Sequence, residues 1–250
     1  MSEKSNSYTK SSSVLVYAEP AKKSRAGSTP MLFRSLYIVV LLVTSLISFG
    51  QQRQVYNLTS LYQQGKLQAV NRAMVSNGSP AYIKVSQQEG EGTVWLPIAD
   101  FESGTIEVVM RGKDFLQQSF IGVVFHGLND STYDAVYCRP FNFFAKDSVR
   151  RIHAIQYISH PVYTWKKLRA ENNAEYEKEI VLPPDPNEWF TMKLTVDATT
   201  ISAFINDAAT PALKVKKLSD RHSGKIGLFT GDGSGGDFKS IIISKQPKED

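Results

Sequence analysis

The carboxylates are the first residues to weigh for chemistry. Glycoside hydrolysis uses two carboxyl groups flanking one bond, about 5–5.5 Å apart for retention and about 6.5–9.5 Å for inversion. In the run 105–111, Glu107 stands alone, followed by Val109 and Arg111 at the next positions on its face. That run offers one candidate catalytic carboxylate and predicts a Glu107–Arg111 ion pair on a sheet face. Asp134 is the second weak catalytic candidate, to be brought close only in space. The four histidines, at 126, 153, 160 and 222, hold no pair at the helical spacing of a zinc motif. Cys138 is alone, which leaves neither an internal disulfide nor a cysteine metal site. No metal cofactor is expected from these residues. The segment 231–237, Gly-Asp-Gly-Ser-Gly-Gly-Asp, reads either as a plain turn or as a loop wrapping calcium, although it lacks the full oxygen set of a calcium loop.

A second group suits recognition. Residues 120–127 and 132–140 are two β-rich runs around Leu128-Asn129-Asp130-Ser131, the pattern of a hairpin. Side chains alternate along a strand, so Tyr133, Ala135, Tyr137 and Arg139 share one face and Asp134, Val136 and Cys138 the other. The Val136/Cys138 face suits a core. The opposite face carries two rings and a guanidinium, which suits a polar ring-shaped ligand. Asn142, Gln156, Tyr157 and Trp165 follow, again aromatic and hydrogen-bonding types. Together Tyr133, Tyr137, Arg139, Asn142, Gln156, Tyr157 and Trp165 form the expected ligand-binding set. Rings cover the C–H surface of a sugar, and the guanidinium makes charge-assisted bonds. Pointing away from the core, Tyr137 is expected to matter little for stability. The aromatic run 141–144 suits either the rim of a groove or a plug at the end of a sandwich.

These residues need a frame. Short β-like runs recur at 81–86, 93–97, 105–111, 120–126, 132–139, 152–158, 179–182, 190–196, 201–206, 213–216, 226–229 and 238–244, with turn residues between nearly all of them. Many short strands without a sustained helical period predict an all-β, two-sheet antiparallel jelly-roll sandwich. Ile106, Val108 and Met110, and Phe190, Met192, Leu194 and Val196, are the inward positions. Residues 55–74 have helix-like composition interrupted by Gly65, and an edge strand is placed near 67–75. Residues 77–80, Asn-Gly-Ser-Pro, read as a turn.

The N-terminal part differs. Residues 1–30, rich in Ser, Lys, Thr and Ala, read as disordered or as lying before the true start at Met31. Residues 31–50 join a basic residue, an uncharged apolar run and small residues at Ser48 and Gly50, the form of a secretory signal cleaved after Gly50. The uncharged stretch 35–50 is shorter than the ~20 residues of a spanning helix, and a membrane partner is expected only if it is retained. Residues 51–250 would then be one domain, secreted or periplasmic. The 250 residues carry +5 overall, but residues 1–50 hold six Lys/Arg and two acids, which leaves the rest at +1. The basic excess belongs to the leader and does not argue for nucleic acid.

Several motifs resemble the concanavalin A-like lectin/glucanase superfamily. Phe101-Glu-Ser-Gly-Thr-Ile-Glu107 is similar to its F-x-x-G-T-I-E strand opening. Tyr133-Asp-Ala-Val-Tyr-Cys-Arg-Pro140 resembles the Y-E-A-F-Y-F-R-P strand of secreted laminin-G-like bacterial proteins. Glu188-Trp-Phe-Thr-Met-Lys193, Gly224-Lys-Ile-Gly-Leu228 and Gly236-Asp-Phe238 are similar to later strands. The likeness spans roughly residues 80–245 and implies a jelly-roll fold with a glycan-binding concave sheet. The 3-keto-disaccharide hydrolase-type domains are a similar group, and through them the resemblance implies a glycoside hydrolase using Glu107 as the alternative. Their N-S-G-I stretch stands here only as Ser119-Phe-Ile-Gly-Val123. The paired E-x-D-x-x-E carboxylates of laminarinase-type members are absent from the matching strand. A third reading is an adhesive module whose exposed aromatics meet another protein.

Overall fold

The structure is a computed structural model and describes residues 52–246. The segments read as disordered (1–30) and as a signal (31–50) lie outside the described residues. Among the described residues the chain forms two antiparallel sheets. Sheet A contains β1 (Gln52–Asn57), β3 (Met74–Gly78), β4 (Ala81–Gln88), β6 (Gly104–Arg111), β11 (Phe190–Val196), β12 (Thr200–Ile205), β13 (Leu213–Lys216) and β15 (Ser234–Lys245). Sheet B contains β2 (Gln68–Val70), β5 (Gly92–Trp95), β7 (Ile121–Asn129), β8 (Thr132–Cys138), β9 (Ile155–Ser159), β10 (Glu177–Lys178) and β14 (Lys225–Thr230). The order in sheet A is β13-β12-β11-β6-β15-β4-β3, with β1 also on β15. The order in sheet B is β10-β9-β8-β7-β14-β5-β2. Among the described residues three short α-helices decorate the sandwich: α1 (Leu58–Gln63), α2 (Ser148–Arg151) and α3 (Trp165–Glu171). Among the described residues no helix is long and apolar enough to cross a membrane.

The alternation in the sequence becomes rows of apolar side chains across sheet A. Leu194, Ile106 and Ile243 are register partners, as are Met192, Val108 and Ile241, and Phe190, Met110 and Phe238. All nine are buried. From sheet B, Val123, Phe125, Val136, Cys138 and Leu228 close the core. Each such side chain contributes about 1.5–3 kcal/mol on burial. With the single cysteine free and buried, this packing is what holds the two sheets together.

Two local expectations are corrected, at 67–75 and at 179–182. The helix-like composition of residues 55–74 gives only α1, whose start is capped by Asn57 accepting from the Ser60 amide. The single edge strand near 67–75 is two strands, β2 and β3, in different sheets; the chain changes sheets through Asn71 at φ 51. Residues 179–182, read as a strand, form none; the two-residue β10 ends just before them, and Val181 and Leu182 are exposed. Helix α3, capped by the Thr164 hydroxyl accepting from the Lys167 amide, interrupts a region read only for its rings.

Candidate functional site

One cross-strand row on the outer face of sheet B organises the site. Register pairs Val70 with Thr93, Thr93 with Phe229, Phe229 with Gly122, Gly122 with Tyr137, Tyr137 with Gln156, and Gln156 with Glu177. The glycine is what lets the two rings meet. A Cβ on Gly122 would sit 2.1 Å from the Val136 carbonyl oxygen and 2.7 Å from the Tyr137 Cβ. Without it, Tyr137 and Phe229 close over the gap, with ring centroids 5.1 Å apart.

Above this row lies a cleft of about 530 Å³. Tyr137 and Phe229 form its floor, Phe120 and Phe141 one wall, and Trp165 of α3 its open rim. Phe120 packs edge-on against Phe141 (5.2 Å) and Tyr137 (6.2 Å). Trp165 is 43% exposed, whereas Tyr137 and Arg139 are nearly covered. The aromatic run 141–144 divides its work: Phe141 lines the cleft, Phe143 packs edge-on against Phe190, and Phe144 is exposed.

The polar groups beneath the rings are tied together. Arg139 donates from Nη2 to the Tyr137 hydroxyl (2.9 Å) and to Gln156 Oε1, and from Nη1 to the His153 carbonyl (2.8 Å). The Tyr137 hydroxyl donates to Gln156 Oε1 at 2.8 Å, while Gln156 Nε2 is buried without a hydrogen-bond partner. Glu177 is the hub. Its Oε2 lies 3.5 Å from Arg139 Nη1, 2.8 Å from His153 Nδ1 and 2.7 Å from Arg169 Nη2, and its Oε1 accepts from Arg169 Nε at 2.9 Å. Burial lowers the Arg139 pKa against the opposing pull of Tyr137 and Glu177. Burial also pushes the Tyr137 hydroxyl up to about 12, with Arg139 opposing. His153 is held below its ordinary value, burial outweighing the neighbouring Glu177. Asn142 joins through Nδ2 to the His153 carbonyl (3.3 Å) and accepts from Arg150 Nε at 3.2 Å.

Two other acids line the far end. Asp232 accepts the Gly90 amide at 2.6 Å, and Glu91 accepts the Tyr133 hydroxyl at 2.8 Å. Burial alone would raise the Glu91 carboxyl, but His160 and Tyr133 outweigh it and hold the group below its ordinary value. Glu91 also borders a second hollow of about 230 Å³, lined in part by Tyr133, Asp130 and His160.

The seven residues of the expected binding set thus divide. Tyr137, Arg139, Asn142 and Trp165 line the cleft, Gln156 supports it from below, and Tyr133 faces the neighbouring hollow. Tyr157 is corrected to the inner face. It is the register partner of Val136, and its hydroxyl donates to Asp134 Oδ1 at 2.8 Å. The expected independence of stability from Tyr137 is corrected as well: the ring points outward from its sheet but is only 3% exposed, because the chain beyond β8 folds over it.

The two catalytic candidates are not brought together. Glu107 projects from the outer face of sheet A, in register with Lys193. Its expected partner Arg111 bonds Asp237 instead, at 2.7 Å. Asp134 is buried between the sheets, 3.6 Å from His126 Nδ1 and 2.9 Å from Arg221 Nη2, and accepts the Ser219 hydroxyl at 2.7 Å. There it fastens the chain between β13 and β14 to sheet B. Burial alone would raise its carboxyl, but His126, Arg221, Ser219 and Tyr157 outweigh that and hold it below its usual 3.8. A group with a depressed folded pKa adds stability that is complete above the unfolded pKa and drains as pH falls through the folded one. The stability difference between the native protein and Asp134→Asn, from urea unfolding, is expected to be flat near neutrality and to shrink below about pH 4. A difference still undiminished at about pH 3 would remove Asp134 from the acid response.

In the Gly/Asp-rich turn, Asp232 and Asp237 serve separate partners, Gly90 and Arg111. Among the described residues no three His, Cys, Asp or Glu side chains group as metal ligands.

Residues that sequence reasoning did not assign to the site include Phe120, Glu91, Arg150, Arg169, Glu177 and Phe229. Phe120 and Phe229 carried only an apolar strand signal. The others lie in loops, in a short helix or in a two-residue strand, where periodicity has nothing to act on.

No known family profile matches the chain, and no curated protein matches it in sequence. Solved structures do match. The exoplasmic/lumenal domain of VIP36, in a form bound to calcium and Man3GlcNAc, superposes with a TM-score of 0.51 at 9% identity, over 74% of this chain and 86% of that one. A Bacillus subtilis protein of unknown function with a galectin-like fold superposes with a TM-score of 0.50 at 11% identity, over 78% and 96%. At such identities the likeness shows the fold alone, the two-sheet antiparallel jelly-roll sandwich that the strand pattern implied.

Proposed function

We propose that the cleft on the outer face of sheet B binds a carbohydrate. The observation that carries this reading is the convergence, in one open hollow, of a half-exposed Trp165, the rings of Phe120, Tyr137 and Phe229, and the planar donors of Arg139, Arg150 and Asn142. Flat apolar faces take the C–H surface of a pyranose, and convergent donors take its hydroxyls. The fold agrees with it, since the VIP36 domain of the same architecture holds Man3GlcNAc. The reading places the domain outside the cytoplasm, as the apolar segment before Gln51 suggests. It draws on rings and guanidinium groups and not on calcium.

A glycan array with the full chain, followed by calorimetric titration of the bound glycans in the presence of EDTA, tests the proposal. Trp165→Ala is expected to unfold within about 0.5 kcal/mol of the native protein, because the side chain sits on the rim. Its affinity is expected to fall roughly tenfold, the worth of one stacked ring. Native affinity in the variant would remove the cleft from the reading, and binding abolished by EDTA would return a metal to it.

A further inference from the structure

This inference rests on the carbohydrate reading and narrows it. We propose that the cleft selects saccharides bearing an anionic oxygen group, a carboxylate or a sulfate, seated at the end formed by Arg139, Arg150 and Arg169.

Three guanidinium groups line this end, delivered by the end of β8, by α2 and by α3. One carboxylate answers them. Glu177 contacts Arg139 and Arg169 and also faces His153. Arg150 bonds only uncharged oxygens, Asn142 Oδ1 at 3.2 Å and the Phe141 carbonyl at 2.9 Å. The other acids bordering the cleft are at its far end. There Glu91 is engaged by Tyr133 and His160, Asp232 is engaged by Gly90, and Arg72 adds a cation beside both. The cleft is therefore polarised, with two positive charges beyond those that Glu177 balances at the Arg139 end.

Cations held in a partly dry hollow gain from an anion that replaces lost water. Guanidinium forks match carboxylate and sulfate oxygens in pairs. The stacking surface lies at the same place. Arg139 Cζ is 4.9 Å from the Tyr137 ring centre and 5.5 Å from that of Phe120, and Arg169 Cζ is 5.2 Å from that of Trp165. A sugar ring lying on the aromatics thus brings its acidic substituent to the guanidinium groups.

The test is calorimetric titration of the full chain with three probes: trigalacturonate, its fully methyl-esterified form, and a sulfated galactose trisaccharide. At low salt at least one of the two acidic probes is expected to bind about tenfold or more tighter than the neutral ester. That preference is expected to shrink as salt screens the charges. Arg150→Gln is expected to remove most of the preference, weakening the acidic probes far more than the ester. Arg150 bonds only Asn142 and the Phe141 carbonyl, both uncharged, and a glutamine amide can still donate there, so the variant is expected to fold. Lys214→Gln, which deletes one exposed charge on sheet A, is expected to leave the preference intact. An ester that binds as tightly as both acidic probes, or an Arg150→Gln protein with undiminished preference, overturns the inference and leaves the carbohydrate reading standing. A protein that binds none of the three probes and nothing on the glycan array overturns both.

Discussion

Glu177→Gln is expected to lower the unfolding free energy by about 3–5 kcal/mol, the range for breaking a buried ion pair by removing one partner. The exchange keeps the size of the side chain and removes only its charge. Arg139 is 4% exposed, and Glu177 is the carboxylate it faces. Its remaining bonds go to Tyr137, Gln156 and the His153 carbonyl, all uncharged. Arg169 keeps at most one of its two paired bonds, because the glutamine amide offers a single acceptor oxygen, and the tie of α3 to β10 loses its charge. The measurement is the urea midpoint at neutral pH with the slope unchanged, which reads stability alone. Effects of Glu177→Gln and Arg139→Gln should be strongly non-additive in a double-mutant cycle, because both delete the same contact. A loss under about 1 kcal/mol would mean that the network behaves as a solvent-exposed pair, and the dry floor described above would be wrong.

Tyr137→Ala is expected to cost about 3–5 kcal/mol, as other buried aromatic truncations do. The ring fills the space that Gly122 leaves, touching Phe229 on one side and Phe120 on the other. Its hydroxyl bridges Arg139 to Gln156. Tyr137→Phe separates the two roles: it keeps the packing and removes two hydrogen bonds, one to Gln156 and one from the Arg139 guanidinium, the latter worth about 1.5–3 kcal/mol. Thermal or urea unfolding of the two variants side by side checks the order. If Tyr137→Ala unfolds within about 0.5 kcal/mol of the native protein, as surface changes do, the ring is mobile at the cleft mouth and not part of its floor.

These two variants also mark how much of the site was legible. Alternation along residues 132–139 correctly separates Tyr133, Tyr137 and Arg139 from Asp134, Val136 and Cys138, because side-chain direction in a strand depends only on neighbours in the chain. The same rule fails at 155–159. Ile-Gln-Tyr-Ile-Ser is apolar on both faces, and both faces are buried, so the pattern does not say which side Tyr157 takes. The pairing of Gln156 with Tyr137 decides it, and that pairing joins residues far apart in the chain.

Most of the strand pattern (though not β1, β2, β3 or β10), the inward residues of β6, β8 and β11, and the jelly-roll class were readable from residue order, since a period of two and turn chemistry are local properties. Depth was not. Whether an outward ring meets water depends on what later chain covers it, and here the segment between β8 and β9 and helix α3 flank the cleft above Tyr137. Charge pairing was not readable either. Glu107 and Arg111 look like partners along one strand, yet Asp237, arriving with β15, takes the arginine. Arg139, Arg150, Arg169 and Glu177 come from four separate elements. Their common site exists only once β8, β9 and β10 pair and α3 folds back, because strand pairing and loop closure are long-range choices that no local period encodes.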